Sequence, residues 1–332
     1  EAFMQPLRKV ISKLKLRASY GQVGNANLGG RRFAYLSTIT DDYDTLNMYK
    51  WGLDSSYGLT GMAEGEFAVQ DLTWEIVNKM NLGVELGFLN GMIDLQLDYF
   101  DERRKDIFMP RESVPMTAGF MKQPWKNFGK VTNQGVEVSL NVNKQFGKDL
   151  FVSLMGTFTY AHNEITEKDE PSAVVGTNRA ETGHPVGQLT GYIAEGLFTE
   201  DDFEDVSTGK LKEGIPTQSF VSKLRPGDIR YRDVNGDGKV DVFDKSPIGG
   251  TKDPEIVYGF GLNMKYKNLD FGALFQGIGR SWNILGSSII PGANRGVTGN
   301  MFTNANDRWT VDNPSQNVFY PRLDDGINSN NN

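Results

Sequence analysis

Strict alternation of apolar and polar residues is the main pattern along the 332-residue chain. Between Ile93 and Tyr99, apolar side chains alternate with Asp94, Gln96 and Asp98. The same period recurs, with different clarity, at 14–21, 82–88, 136–143, 152–160, 260–266 and 269–275. A period of two residues is typical of β-strands with one apolar face. The pattern therefore predicts an all-β protein of about seven strands, each roughly 9–12 residues long.

The connections between the predicted strands alternate between short and long. Asn90-Gly91 favours a two-residue hairpin, and tight turns are also predicted at Gly147-Lys148-Asp149 and Lys267-Asn268. The intervening connections cover about residues 22–74, 102–133, 161–255 and 280 onward. Short periplasmic turns that alternate with long extracellular loops are typical of outer-membrane β-barrels.

Aromatic residues form two groups at opposite ends of the predicted strands, as in the interfacial girdles of membrane barrels. Phe88, Phe146, Phe151, Tyr266 and Phe271 lie near the tight turns, and Tyr99, Phe128, Phe158, Tyr160, Tyr258 and Phe275 lie near the long connections. A two-sheet sandwich with an aromatic core is the alternative. It would bury the charged face that carries Glu85, Asp94, Asp98, Glu137, Lys265 and Asp270. Because unpaired buried charges are costly, a water-filled lumen suits that face better.

Composition narrows the possible classes of protein. The absence of cysteine excludes disulfides and thiolate metal sites, and the net charge of -7 argues against a nucleic-acid partner. His162 and His184 are too few for a histidine cluster, and we expect both in loops. The lack of a long apolar run excludes a transmembrane helix, whereas a mean hydropathy of -0.43 suits alternating strands. Residues 1–10 lack a signal peptide, so we expect a fragment or a missing mature start.

One compact segment has the spacing of a calcium loop. Within residues 233–244, oxygen-bearing side chains fall at positions 1, 3, 5, 9 and 12, with glycine at position 6, as in the EF-hand. The predicted ligands of a structural Ca²⁺ are Asp233, Asn235, Asp237, Lys239 through its carbonyl oxygen, Asp241 and Asp244. Aspartate instead of glutamate at position 12 predicts weaker binding. A plain acidic turn is the alternative.

Six further segments occur in a recognisable order: LRASYG at 16–21 with Gly24-Asn25, LTWE at 72–75 with NLG at 81–83, NFGKVTNQGVE at 127–137, GHPVG at 183–187 with GY at 191–192 and GLF at 196–198, PGDI at 226–229, and RWT at 308–310 with NP at 313–314 and PR at 321–322. Each segment alone is a weak signal, but the ordered set resembles the SusC/RagA family of TonB-dependent outer-membrane transporters of the Bacteroidetes.

The resemblance implies a transmembrane antiparallel β-barrel of roughly 22 strands. Residues 1–332 would be a C-terminal part of this barrel, without the plug domain, the early strands or the last strands. Residues 161–255 would form a long extracellular loop region that contains the calcium-type loop at 233–244. The implied location is the outer membrane of a Gram-negative cell of the Bacteroidetes type.

The implied function is TonB-dependent import of a bulky nutrient, an oligosaccharide or a peptide. The chain would belong to the channel subunit, with a SusD-like surface lipoprotein as lid and the TonB-ExbB-ExbD complex as energy source. Outer-membrane lipid and lipopolysaccharide would surround it. No catalytic residues are predicted, and the sequence does not identify the substrate-binding residues.

Two other classes of protein remain open from the residues alone. The first is a soluble, calcium-dependent, carbohydrate-binding β-protein of the cell surface. The second is a surface glycoside hydrolase, for which the sequence offers no convincing carboxylate pair. Trp125, Trp282 and Trp309 are expected in long loops, where they would either stack on sugars or be buried.

Overall fold

The computed structural model describes residues 10–40, 49–53, 57–59, 62–120, 122–284, 303–323 and 330–331. Seven long strands dominate it: β1 (Ile11–Asn25), β2 (Glu75–Phe88), β3 (Ile93–Pro110), β4 (Trp125–Phe146), β5 (Leu150–Glu167), β6 (Ile256–Tyr266) and β7 (Leu269–Gly279). They form one antiparallel sheet in sequence order, and each strand pairs with its neighbour along the chain. In the described part of the chain, β1 and β7 are the two edges of the sheet. The predicted all-β class is confirmed.

The strand register gathers the apolar residues on one face of the sheet. One row across the strands runs through Leu16, Val84, Leu97, Val138, Phe158 and Tyr258. The next row contains Leu82, Tyr99, Val136 and Tyr160. Many of these side chains are exposed, for example Leu16 at 74%. We call this surface the apolar face.

The opposite face carries the charged residues that alternation predicted. Arg17 pairs in the register with Gly83, Gly83 with Asp98 and Asp98 with Glu137. Glu85, Asp94, Lys265 and Asp270 fall on this side by the same two-residue period. We call this surface the polar face, and its predicted composition is confirmed.

The first five strands are longer than predicted: β1 and β2 contain 15 and 14 residues, and β3, β4 and β5 contain 18, 22 and 18. Beyond the row of Tyr99 and Tyr160, the apolar face becomes polar, and the next row contains Asp101, Gln134 and His162. Backbone pairing continues whether side chains are apolar or polar, whereas the alternation signal ends with the apolar residues. The prediction of loops from 102 to 133 and from 161 was therefore wrong at these strand ends, and His162 lies in β5.

The three predicted tight turns are present, but one is longer than expected. Phe88 pairs with Ile93, so four residues rather than two connect β2 and β3. Leu89, Asn90 and Gly91 adopt φ angles of 52°, 58° and 84°, so the turn is built from left-handed backbone. The connections at 147–149 and 267–268 contain the predicted three and two residues.

The chain divides into two compact units. The first contains the sheet and comprises residues 1–175, 180–186 and 253–281; the second comprises 176–179, 187–252 and 282–332. Short strand pairs in the first unit are Ile39–Thr40 with Ala63–Glu64 and Tyr49–Trp51 with Tyr57–Leu59. No helix in the described residues has the length and apolarity needed to cross a membrane.

The second unit has its own small core of Phe198, Phe203 and Leu224. Its strand pairs are Thr190–Gly191 with Ser246–Pro247, Ala194–Leu197 with Ile229–Tyr231, Phe203–Asp205 with Lys210–Leu211, and Thr217–Gln218 with Lys239–Val240. The 3₁₀ helices of the described chain are Leu89–Gly91, Met116–Ala118, Glu200–Asp202, Val242–Asp244 and Thr303–Asn306.

Candidate functional site

Paired charges line the polar face near the tight-turn end of β1, β2 and β3. Lys13 Nζ lies 2.8 Å and Lys15 Nζ 3.1 Å from the carboxylate of Glu85. The Nη2 atom of Arg17 donates to both carboxylate oxygens of Asp98, at 2.8 and 2.9 Å. The lysines and Glu85 lie on adjacent strands, whereas Arg17 of β1 reaches across β2 to Asp98 of β3, so the register itself brings opposite charges together. The polar face is therefore an ordered charged surface.

A glycine makes the pair between Arg17 and Asp98 possible. Gly83 lies between Arg17 and Asp98 in the register, and a Cβ atom there would lie 2.3 Å from Asp98 Oδ1. Asp98 is buried, with 7% of its surface exposed. Any larger residue at position 83 would displace the carboxylate that Arg17 holds. In the sequence, Gly83 stands out only as the glycine of the NLG segment, and the alternation of apolar and polar residues does not indicate its contact with Asp98.

A pocket of about 540 Å³ opens on the polar face at the long-connection end of the strands. Val77, Val131 and Ile165 occupy one row of the register and line it, and Val77 and Ile165 are buried. Such a size and an apolar base are typical of small-molecule sites. The sequence did not identify these residues, because their segments were predicted as loop or as unremarkable strand ends.

Charged residues surround this apolar base in pairs. Lys79 Nζ lies 2.7 Å from Glu102, and Arg104 Nη1 lies 2.9 Å from Glu75. The charged members of the pocket lining are Glu102, Arg104, Lys130, Glu167, Lys168, Glu181 and Asp253. The lining contains no aromatic side chain from the described part of the chain. The pocket therefore suits a ligand with aliphatic and charged groups.

A buried carboxylate supports the rim of the pocket region. Asp169 accepts hydrogen bonds from the backbone N–H of Ser113 at 3.0 Å and from its hydroxyl at 2.8 Å, and Arg111 Nε lies 3.1 Å away. Burial favours a higher pKa for Asp169, but the bonds from Arg111 and Ser113 outweigh it and lower the pKa below 3.8. The cluster joins the segment after β3 to the segment after β5.

The predicted calcium loop lies in the second unit, and its side-chain oxygens accept hydrogen bonds from its own backbone N–H groups. Asp233 accepts hydrogen bonds from the N–H of Gly236 at 2.6 Å and of Gly238 at 2.7 Å. Asn235 and Asp237 accept from backbone N–H groups two residues later, both at 2.9 Å. The glycines have φ angles of 76° and 84°, which explains why glycine occupies these positions.

The second half of the loop is held by Asp244, which is fully buried. Its oxygens accept from Val234 N at 2.8 Å and Asp241 N at 2.7 Å. Asp241 caps the turn through Phe243 N, and this bond lowers the pKa of Asp241. Lys239 Nζ lies 3.2 Å from Asp241. Among the described residues, no three histidine, cysteine or carboxylate groups converge on one point, so calcium binding by these six residues stays a prediction.

A buried ion pair joins two motifs that are far apart in the sequence. Arg322 Nη2 lies 2.9 Å from Asp228 Oδ1, and Asp228 is fully buried. Trp309 packs against Gly227, where a Cβ atom would lie 2.3 Å from the indole ring. Sequence reasoning identified both motifs but not their contact, because nothing in the local pattern indicates which distant segments meet.

The structure also places the other aromatic candidates. Trp309 is buried, which favours burial over sugar stacking at that position, whereas Trp282 packs against Gly249 and Gly250 and stays 38% exposed. Trp125 is not in a loop but begins β4, with the guanidinium of Arg31 4.1 Å from its ring centroid.

The predicted aromatic bands need one correction. Phe151 pairs with Gln145 and Lys265 and therefore lies on the polar face. Tyr99, Phe158, Tyr160 and Tyr258 lie on the apolar face near the long connections, as expected. Position along a strand is readable from the sequence, whereas the face of a residue next to a turn depends on the register.

Comparisons with known proteins agree with this architecture. A family model described as "TonB dependent receptor-like, beta-barrel" matches residues 7–247. TonB-dependent receptor P26 of Formosa agariphila is 28% identical over 96% of this chain and 30% of its own length. TonB-dependent receptor SusC of Bacteroides thetaiotaomicron is 29% identical over 79% of this chain and 24% of its own length.

A solved structure of the RagAB peptide transporter has the same fold over most of the chain. The TM-score is 0.64 at 23% identity, covering 95% of this chain and 31% of that one. The structure of the RagAB peptide importer in the "open-open" state matches with a TM-score of 0.65 at 21% identity, covering 97% of this chain and 32% of that one. The chain thus spans about a quarter to a third of the length of the relatives that it matches.

Proposed function

Because the chain belongs to the TonB-dependent receptor-like β-barrel family, we propose that it is part of the wall of a TonB-dependent outer-membrane importer for a bulky nutrient. One observation carries the proposal: a single sheet has an exposed apolar face and a charged polar face. Lipid can cover the first and a water-filled lumen can meet the second without burying unpaired charge. Family membership favours this function over a soluble carbohydrate-binding protein or a glycoside hydrolase.

The pocket on the polar face supports a peptide rather than an oligosaccharide as the nutrient. Its base is formed by Val77, Val131 and Ile165, and its charged residues have both signs. Aliphatic side chains and charged groups are features of peptides, whereas sugars favour aromatic platforms. The relative RagAB is described as a peptide transporter, which agrees with this choice.

The partners follow from the same family. A SusD-like lipoprotein would cover the long connections, and the TonB-ExbB-ExbD complex would supply energy to the full-length protein. Outer-membrane lipid and lipopolysaccharide would contact the apolar face. Ca²⁺ at residues 233–244 would stabilise the second unit, with the six predicted residues as ligands.

An uptake assay tests the import of peptides. A strain that lacks the full-length gene should lose uptake of labelled oligopeptides and regain it when the gene is restored. Val131→Asp together with Ile165→Asp should reduce uptake, because two charges would replace the apolar base of the pocket. Ser139→Asp, on the polar face outside the pocket, is the matched control.

Three results would separate the parts of this proposal. Uptake of oligosaccharides but not peptides would contradict the substrate class alone. Normal uptake by the double variant would contradict the role of the pocket. Unchanged uptake of both nutrient classes in the deletion strain would contradict the importer function.

A further inference from the structure

A groove of about 300 Å³ lies where the apolar face of the sheet becomes polar. Its walls are Tyr99 of β3, Thr132 and Gln134 of β4, and Tyr160, His162 and Glu164 of β5. The volume is at the lower end of the range of small-molecule sites, about 300 Å³. It is distinct from the pocket on the polar face, with which it shares no lining residue.

The strand register places the groove on the apolar face of the sheet. Tyr99 pairs with Val136, and Val136 pairs with Tyr160. Gln134 pairs with His162 one row further along. These residues share the period of Leu97 and Val138, so one end of the groove is continuous with the apolar rows. The other end is bordered by polar side chains beyond the level of the two tyrosines.

Two of the walls are held in place by a network at neighbouring strand ends. His162 Nδ1 lies 2.5 Å from Glu255 Oε1, and Arg280 Nη1 lies 3.1 Å from Glu255 Oε2. The guanidinium of Arg280 lies 5.6 Å from the ring centroid of Tyr160. Supported side chains of this kind are characteristic of preorganised binding sites. The side chains of Tyr160 and His162 are therefore held in position without a ligand.

The chemistry of the walls favours a neutral, hydroxyl-rich ligand. Gln134 offers an amide that can donate and accept, Thr132 offers a hydroxyl, and Glu164 offers a carboxylate acceptor. Arg280 is paired with Glu255 and Glu164 adds a second carboxylate, so no excess of positive charge is available for a phosphate group. Two tyrosine rings add the amphipathic surfaces that membrane interfaces favour.

We propose that this groove binds the sugar headgroup of a membrane glycolipid, with its acyl chains along the apolar rows below Tyr99 and Tyr160. The inference rests on the proposed placement of the sheet in the outer membrane. The glycolipid would occupy the leaflet on the side of the long connections, beside β3, β4 and β5.

Lipid retention by the full-length transporter tests this site. The protein would be reconstituted in bilayers doped equally with a diacyl glucoside and a diacylglycerol of the same chains, and retained lipids counted by native mass spectrometry. The wild type should retain the glucoside preferentially. Gln134→Ala with Glu164→Ala should lower that preference about tenfold, because two hydrogen-bonding groups are removed. Gln22→Ala, on the same face of β1, should leave it unchanged.

A second variant separates loss of the site from loss of the fold. Thr132→Trp fills the groove without removing Gln134 or Glu164, and it should also abolish the preference for the glucoside. Equal retention by wild type and by both groove variants would overturn the proposal, as would equal retention of both lipids by the wild type. Failure of the wild type to enter bilayers would instead overturn the proposed membrane placement.

Discussion

At the scale of single residues, the buried ion pair between Arg322 and Asp228 is expected to stabilise the second unit. The carboxylate is fully buried and also accepts from Arg225 N at 2.8 Å and from Asn331 Nδ2 at 2.9 Å. A buried charge that loses its partner is far more costly than an exposed ion pair. The PGDI and PR motifs therefore have a structural explanation.

Arg322→Ala should destabilise the second unit by about 3–5 kcal/mol, because it leaves the Asp228 charge buried without its guanidinium. Hydrogen exchange across residues 187–252 measures the effect. Arg232→Ala is the matched control, since its pair with Glu195 is half exposed and contributes about 0–1 kcal/mol. Equal effects of the two substitutions would contradict the role of the buried pair.

Asp169 should make the adjoining segments sensitive to acid. Its folded pKa lies below the ordinary 3.8, so its stabilising contribution is present above 3.8 and is lost as the pH falls through the folded pKa. Protease resistance of residues 111–118 should therefore decline at low pH. Asp169→Asn should remove this dependence and lower resistance at neutral pH, whereas Asp71→Asn, at an exposed site, should change neither.

The calcium prediction also belongs to this scale. Metal analysis of the full-length protein should find one more Ca²⁺ in the wild type than in Asp237→Ala, and a chelator should make residues 233–244 easier to cleave. Asp201→Ala, an exposed aspartate of the same unit, is the control. Equal calcium content and equal cleavage in wild type and Asp237→Ala would show a plain acidic turn held by its own backbone bonds.

At the scale of elements, close packing between strands depends on glycines on the polar face. Gly83→Ala would place a methyl group 2.3 Å from Asp98 Oδ1 and 3.1 Å from Arg17 Nε. We expect a loss of about 1–3 kcal/mol, because the pair must move or break. The temperature at which the full-length protein unfolds on a gel measures the loss. Gly21→Ala, in β1 with nothing within 4 Å, should change it little.

The lengths of the strands show how much of each strand the alternation of apolar and polar residues predicts. Alternation located all seven strands and the tight turns between them. It missed the polar ends of β3, β4 and β5, where Asp101, Gln134 and His162 continue the ladder. These ends are stabilised by backbone pairing with neighbours, which no single segment encodes. Both the pocket and the groove include residues from these polar ends.

At the scale of the whole molecule, the opposite environments of the two sheet faces can be tested with adjacent residues. Val138 lies on the apolar face and Ser139 on the polar face of β4. Val138→Arg should destabilise the membrane-inserted protein by about 2–4 kcal/mol, because the charge would enter lipid. Ser139→Arg should be tolerated. Unfolding in liposomes measures both, and equal costs would contradict the assignment of the faces.

The sequence by itself determined the all-β class, the number of long strands, the two faces and the family, because these depend on a local period of two residues and on ordered short motifs. Tertiary structure alone decided which distant residues meet. It brought Arg17 to Asp98, Arg322 to Asp228, the ends of four strands to the pocket and the ends of three strands to the groove. Strand register and loop packing arise from pairing between segments far apart in the chain, and the pattern within one segment does not contain them.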